Sequence, residues 1–400
     1  MSLVNIISAI GNNSSVYPLI VRDCGIEIPS KVALTYNQNL KDSKQMAYNA
    51  TRERLIDEYG TSFIWIAGPA IIDRVCNWGI KKFGLAPEVN SELFKERKIQ
   101  GLKYNINKFK NLAPKEVGEM EKVLNNKSKY QKLLAGKFVL STAIPIALMG
   151  FILPKLNFKL TEKIREKQLK EKRNEEILQG KMSFKGLTSS LANMSHVNKM
   201  AVTDGGLTVG RVSTARNNYE KMELGFKNIM MMFLNFVFPI YLAKFLDKSS
   251  YKLFKTNVNL DPKLIINKEF LQNIKDNKLE LPENAEIINF LDKKPNAEFS
   301  KLCEEYCGVK RLRNGVRDPR AFVDEKKISE FKTEIEKFSK ELMNGNNPEK
   351  YAKKALKIKS VNILANVGIS SFLLAVALPK LIFILREKIT GSDAEPGLLS

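Results

Sequence analysis

Asp73 and Arg74 are the charged residues whose position in this sequence best suits chemistry inside a membrane. They continue an apolar stretch that begins at Ser62 and contains Gly68 and Pro69. Ionisable residues within apolar segments are costly to bury and usually mark functional sites. The two residues are therefore a candidate intramembrane polar site. The alternative is that they only mark the end of the apolar stretch.

Other residues with catalytic or ligand-binding chemistry lack the partners that such chemistry needs. His196 is the only histidine, and no carboxylate or cysteine lies near it in the sequence. Cys303 and Cys307 would share a helix face, but no further Cys/His cluster completes a zinc site. The stretch Gly205–Arg211 has the glycine spacing of a phosphate-binding loop and lacks its lysine. We therefore expect no metal and no cofactor, and the sequence favours a non-enzymatic protein.

Four apolar segments, near residues 62–80, 138–156, 228–250 and 360–390, must position any such site. Each contains a proline near its centre or end. A single membrane crossing needs about 20 apolar residues, and only the fourth segment and, marginally, the second reach that length. Buried helices of a water-soluble protein remain an alternative for all four.

Basic residues flank the apolar segments on both sides, although a spanning segment normally carries its Lys/Arg excess on the cytoplasmic side alone. If each segment bent at its proline and returned to the face it left, all these lysines would meet one leaflet. We therefore predict re-entrant hairpins, with ordinary single crossing as the competing arrangement. The partners expected at this leaflet are anionic lipid headgroups. The candidate headgroup contacts are Lys155, Lys159, Lys163, Lys380, Arg386 and Lys388.

The chain carries a formal net charge of +22, which attracts polyanions of any kind. Its densest basic patch comprises Lys310, Arg311, Arg313, Arg317 and Arg320. Because aromatic residues do not interleave with these charges, lipid headgroups or a solvated face are better interpretations than nucleic acid, which we do not expect as a partner.

Composition divides the chain into seven parts. They are an N-terminal region (1–60), a first membrane half (61–160), a charged helix with a Gly/Ser/Asn-rich connection (161–227), an apolar segment (228–250), a helical soluble unit (251–359), a final apolar segment (360–390) and a disordered tail (391–400). In the soluble unit, Ile328, Phe331, Ile335, Phe338 and Leu342 recur at helical spacing.

Two pairs of apolar segments align without gaps. The second and fourth lead into similar eleven-residue motifs that begin at Pro154 and Pro379, and the first and third align on Pro69 and Pro239. Internal repeats with proline-broken apolar segments are typical of transporter-like architectures. The competing explanation is that such motifs recur because of amino-acid composition alone.

Together these patterns predict an all-α membrane protein with a basic, helical cytoplasmic portion, located in the inner or cytoplasmic membrane. The predicted role is structural or membrane-organising, without enzymatic activity. One alternative is a small transporter-like protein built from two related halves, and another is a soluble, basic helical adaptor. The sequence leaves ligand, protein partners and stoichiometry open.

Overall fold

The computed structural model describes residues 2–40, 44–153, 156–157, 159–160, 194–213, 218–344 and 347–391. These residues fold into helices without a β-strand, apart from one isolated bridge between Arg311 and Arg317. The prediction of an all-α fold is confirmed. Three helices are long and apolar enough to cross a membrane: Lys127–Gly150, Lys221–Phe254 and Pro348–Ile389.

The first half of the chain contributes three long helices and a small helical insertion. The short α1 spans Leu3–Gly11, and α2 joins Tyr17–Arg22, a π-helical turn at Asp23–Glu27 and Ile28–Asn39. Helix α3 spans Lys44–Lys82. The insertion holds a 3-10 turn (Ser91–Phe94), α4 (Leu102–Phe109) and α5 (Pro114–Asn125). Helix α6 spans Lys127–Ala147 and continues through a π-helical turn at Leu148–Ile152.

The second half also contributes three long helices, with a larger insertion between the second and third. Helix α7 spans His196–Ser213, and α8 joins Asn218–Met232, a π-helical turn at Phe233–Val237 and Phe238–Phe254. The insertion holds α9 (Pro262–Ile265), α10 (Lys268–Lys275), a 3-10 turn (Asn284–Glu286), α11 (Ile287–Lys293), α12 (Glu298–Leu302, then a π-helical turn at Cys303–Cys307) and α13 (Glu325–Asn344). Helix α14 joins Pro348–Phe372, a π-helical turn at Leu373–Ala377 and Leu378–Thr390.

Prolines do not reverse the chain in the described parts of the apolar segments, so the predicted hairpins are wrong. Helix α3 continues through Pro69, and α6 continues through Pro145. In α8 and α14, the π-helical turn ends two residues before Pro239 and Pro379. A proline lacks an N–H and its ring clashes with the carbonyl one turn earlier, and a wider π turn accommodates both while the helix continues. The apolar segments therefore run the length of the bundle.

Helix α7 forms where the sequence predicts a loop, because its glycines allow close packing. A Cβ at Gly206 would lie 2.4 Å from Cδ1 of Ile146 in α6. Glycine lowers intrinsic helix propensity by about 1 kcal/mol, but tertiary packing routinely overrides propensity. The preceding charged stretch, 161–193, lies outside the described residues.

Helix α3 starts well before its apolar stretch, so the boundary set at residue 60 falls inside this helix.

Two sets of three helices pack in the same pattern. In each set the second and third helices are neighbours, α3 with α6 and α8 with α14. The first helix of each set packs against its own second helix and against the third helix of the other set: α2 against α14, and α7 against α6.

The two insertions pack against each other at one end of the bundle. The backbone N–H of Asn90 donates to the carbonyl of Arg320 at 2.8 Å. Gln100 exchanges two hydrogen bonds with the backbone of Val323. Each insertion joins the end of a second helix to the start of a third, so contact between them requires both helix pairs to run in the same direction.

A hydrophobic core of its own supports the larger insertion. In α13, Ile328, Ile335, Phe338 and Leu342 are buried, as the helical spacing predicts. The side chain of Asn347 caps α14 by accepting from the N–H of Lys350. Because α8 ends at Phe254 and α14 begins at Pro348, the larger insertion is bounded by the two helix ends.

Candidate functional site

Asp73 lies inside the helix bundle, paired with a lysine that sequence reasoning missed. Its Oδ2 is 2.5 Å from Nζ of Lys199 in α7, and the Lys199 side chain is 3% exposed. One turn further along α3, Oδ1 of Asn77 accepts a hydrogen bond from Nζ of Lys137 at 2.7 Å. Asp73 therefore joins the two halves of the chain. No spacing in the sequence links partners 126 residues apart.

Arg74 does not belong to this cluster. Its side chain is exposed, whereas the Asp73 side chain is only 25% exposed. Neighbouring residues on a helix point in directions about 100° apart, so the predicted pair divides between the interior of the bundle and its surface.

A second polar cluster lies between α8 and α14. Asp247 Oδ2 is 2.5 Å from Nζ of Lys359, and its Oδ1 accepts from Nδ2 of Asn362 at 2.9 Å. In the gapless alignments of the apolar segments, Asp247 corresponds to Asn77 and Asn362 to Lys137. The same contact between a second and a third helix is thus made in both halves, with different polar groups.

Arg22, in α2, contacts the turn of α8 that precedes Pro239. Its Nη1 donates to the carbonyl of Leu234 at 3.5 Å and its Nη2 donates to that of Asn235 at 3.2 Å. Nε donates to the carbonyl of Pro18 in its own helix. Pro239 has no N–H to offer the preceding turn, and the buried guanidinium supplies donors in its place.

The start of α7 makes a corresponding contact with α3. His196 Nε2 donates to the carbonyl of Ile66 at 2.8 Å, in the turn that precedes Pro69. Trp65 Nε1 donates to the carbonyl of Met200 at 3.2 Å. The first helix of each half therefore bonds to the proline-containing second helix of the other half.

A cavity of about 290 Å³ lies beside the contact of Arg22 with α8. It opens between the start of α2, the start of α7 and the π-helical turn of α8. Its lining residues are Asn13, Ser14, Leu19, Arg22, Ser195, Val197, Asn198, Ala201, Asn235, Phe236, Pro239 and Ile240. Both halves of the chain contribute to it.

The candidate lipid contacts differ in how much free charge they offer. Lys159, Lys380 and Lys388 are exposed. Arg386 instead forms a two-bond ion pair with Glu223, at 2.8 Å and 2.5 Å, so its charge is already engaged within the protein. Lys155 and Lys163 lie outside the described residues.

The basic patch is not one continuous surface. Arg317 is fully buried, with Nε 2.7 Å from Oδ1 of Asp292, while Arg320 pairs with Glu119 and Asp318 and Arg311 pairs with Glu304. Three of the five charges are therefore engaged in ion pairs within the protein, and one of these, Arg320–Glu119, joins the two insertions. Lys310 and Arg313 remain exposed.

Asp292 is the hub of this ionic contact. It accepts hydrogen bonds from Arg317 of the same insertion and, at 2.8 Å, from Lys108 of the other. Burial acts to raise the pKa of Asp292, but the hydrogen bonds and charges of Arg317 and Lys108 outweigh it and hold that pKa below its usual value.

Metal ligands do not assemble in the part of the chain that the structure describes, where no group of three or more His, Cys, Asp and Glu side chains is arranged to hold an ion. The four cysteines are free thiols. Cys303 and Cys307 share the π-helical turn of α12.

Fold and polar clusters together define an all-helical protein with three helices of membrane-spanning length and two halves joined by buried polar contacts. Comparison with protein-family models, curated proteins and solved structures finds no match to this chain.

Proposed function

We propose that this protein is embedded in a membrane, with its helices crossing the bilayer and its insertions on the cytoplasmic side. The surface of the bundle supports this. Only 17% of the most apolar 18-residue stretch of Lys221–Phe254 is buried within the protein. Ile229, Tyr241 and Phe245 of this helix are 62%, 67% and 65% exposed. Apolar surface on this scale needs an apolar partner, and lipid is the partner that suits helices of this length.

The two sets of three helices are, in this proposal, related halves. The π-helical turns at Leu148–Ile152 and Leu373–Ala377 occupy equivalent places in the alignment of the second and fourth apolar segments. The first helix of each half packs against the third helix of the other half, and Asn77 and Asp247 make matching contacts. Both observations support the same relation. Because both insertions lie at one end, the halves are parallel repeats and not inverted ones.

We infer a transporter-like function from the cavity between the halves. This single observation favours transport over a structural or membrane-organising role, because a scaffold has no need of a polar cavity at membrane depth. A buried arginine of α2, the start of α7 and the proline-containing turn of α8 surround it, and binding sites of transporters typically combine interrupted helices with polar groups at a repeat interface. A soluble adaptor would not leave the apolar surface of α8 exposed.

Cysteine accessibility in sealed vesicles tests this proposal without a known substrate. In a variant whose four native cysteines are replaced by alanine, Asn198→Cys places a thiol on the cavity wall and Tyr241→Cys places one on the outer apolar surface. A charged, membrane-impermeant thiol reagent should modify the first and spare the second. Modification of both would indicate a water-soluble protein. Protection of both would leave no aqueous cavity and favour a structural role.

A further inference from the structure

Charge and shape of the cavity lining define the class of ligand that fits it. Among the described residues that line it, Arg22 is the only charged side chain. Five lining residues are neutral and polar: Asn13, Ser14, Ser195, Asn198 and Asn235. The remaining six are apolar: Leu19, Val197, Ala201, Phe236, Pro239 and Ile240.

Arg22 lines the cavity and retains hydrogen-bonding capacity. A guanidinium has five N–H donors, and three are used on backbone carbonyls. The neighbouring carboxylates bond elsewhere: Asp23 accepts from Ser62, and Glu27 pairs with Lys31 at 2.7 Å. Carbonyl groups satisfy donors but do not neutralise the charge. Glu27 and Asp23 favour the charged guanidinium electrostatically, but among the described residues no carboxylate is hydrogen-bonded to Arg22, which is 3% exposed.

We propose that the cavity binds a small organic anion, with its carboxylate on the guanidinium of Arg22 and a short apolar body against Phe236, Pro239 and Ile240. This inference rests on the proposed function and names its substrate class. Burying a cation is costly unless an anion accompanies it, and carboxylate matches the planar fork of arginine. A cationic ligand would meet Arg22 and no acidic side chain.

Volume limits the size of the ligand. At about 290 Å³, the cavity lies at the lower end of the range for small-molecule sites. The neutral polar residues Asn198 and Ser14 supply further donors and acceptors around a carboxylate or a hydroxyl group. The site therefore suits short carboxylates and excludes nucleotides and long acyl chains.

Thermal unfolding of the full chain in lipid nanodiscs tests the inference. The probes are the sodium salts of acetate, propionate, butyrate and hexanoate, each compared with its amide and with sodium chloride at equal concentration. We expect saturable stabilisation by propionate or butyrate, with apparent affinity about 10- to 100-fold above that of the matching amide, because the amide loses the charge-assisted bond to Arg22.

Two variants separate the cavity from its charge. Ala201→Phe fills the cavity while residue 22 remains arginine, and should abolish the stabilisation. Arg22→Lys keeps the charge but loses the fork, and should weaken binding at least tenfold while leaving the preference for the anion. Lys122→Gln removes an exposed charge of α5 outside the cavity lining and serves as the control, with unchanged affinity.

Failure of the ligand class and failure of the proposed function give different results. If amides bind as tightly as carboxylates and Ala201→Phe abolishes both, the cavity is a binding site and the anion class is wrong. If no probe stabilises the protein, or Ala201→Phe responds to carboxylates like the wild type, the inference is overturned. The Asn198→Cys accessibility result then decides separately whether the transporter-like proposal survives.

Discussion

Replacing Asp292 by asparagine removes the negative charge that faces two cations at the junction of the insertions. Arg317 and Asp292 share two hydrogen bonds, at 2.7 Å and 3.2 Å, and the side chain of Arg317 is completely inaccessible to solvent. Lys108 reaches the same carboxylate from the other insertion and is 26% exposed. The substitution leaves Arg317 buried opposite a neutral amide.

The expected loss follows from this burial. Removing one partner of a buried ion pair costs about 3–5 kcal/mol, and asparagine retains an acceptor oxygen, so we expect about 3 kcal/mol for Asp292→Asn. Lys108→Met should cost about 1 kcal/mol or less, because that lysine keeps partial access to water. Hydrogen exchange at the amides of α4 and α11 measures the local opening. A loss of 3 kcal/mol corresponds to about 150-fold faster exchange.

Asp276→Asn is the matched control, because the partners of Asp276, Lys278 and Gln272, lie in the same insertion and their contacts with it are exposed. It should leave exchange unchanged. Equal effects of the Asp276 and Asp292 substitutions would refute the argument from burial, as would a larger effect of Lys108→Met than of Asp292→Asn.

The pH dependence of the same contact gives an independent measurement. Because the pKa of Asp292 is lowered in the folded protein, the unfolded chain binds a proton at higher pH than the folded chain. The stabilisation is therefore complete above the ordinary pKa of aspartate, near 4, and is lost as pH falls through the folded value. Wild-type protection should decline below about pH 4, and Asp292→Asn should flatten that decline.

Two further substitutions test the bundle in detergent by thermal unfolding. Asp73→Ala should cost about 3–5 kcal/mol of stability, because it leaves Lys199, whose side chain is 3% exposed, without its partner. Lys199→Met should cost less, because the Asp73 side chain is 25% exposed. The reverse order would contradict the argument from burial. Gly68→Leu should cost about 1–3 kcal/mol, because even a Cβ at Gly68 would lie 3.2 Å from Cγ of Pro145. Gly136→Leu is the control and should be tolerated, because nothing lies within 4 Å of a Cβ at that position. Similar losses at both positions would contradict the close approach of α3 and α6.

Several elements follow from local sequence patterns alone. The helical spacing from Ile328 to Leu342 identifies a helix and its buried face, and both are found in α13. Apolar composition locates the second, third and fourth apolar segments, each of which lies in a helix of spanning length, although the length of the uncharged run placed the third below that limit. Such patterns are local, because hydrophobic periodicity and composition act over one helix at a time.

Predictions drawn from prolines and glycines were wrong. Pro239 and Pro379 predicted reversals, yet π-helical turns carry α8 and α14 onward. Gly205 and Gly206 predicted a loop, yet they lie in α7, where the absence of a side chain at Gly206 allows contact with Ile146. In each case the outcome depends on neighbours that the local sequence does not contain.

By itself, then, the sequence determined that the chain is helical, basic and equipped with apolar segments, since propensity, charge and periodicity are properties of neighbouring residues. Only the tertiary structure decided which polar groups meet. It brought Lys199 to Asp73 and Arg22 to the proline-containing turn of α8, and it enclosed the cavity between the halves. Such partners are chosen by helix packing, which joins residues more than a hundred positions apart and leaves no mark in their spacing.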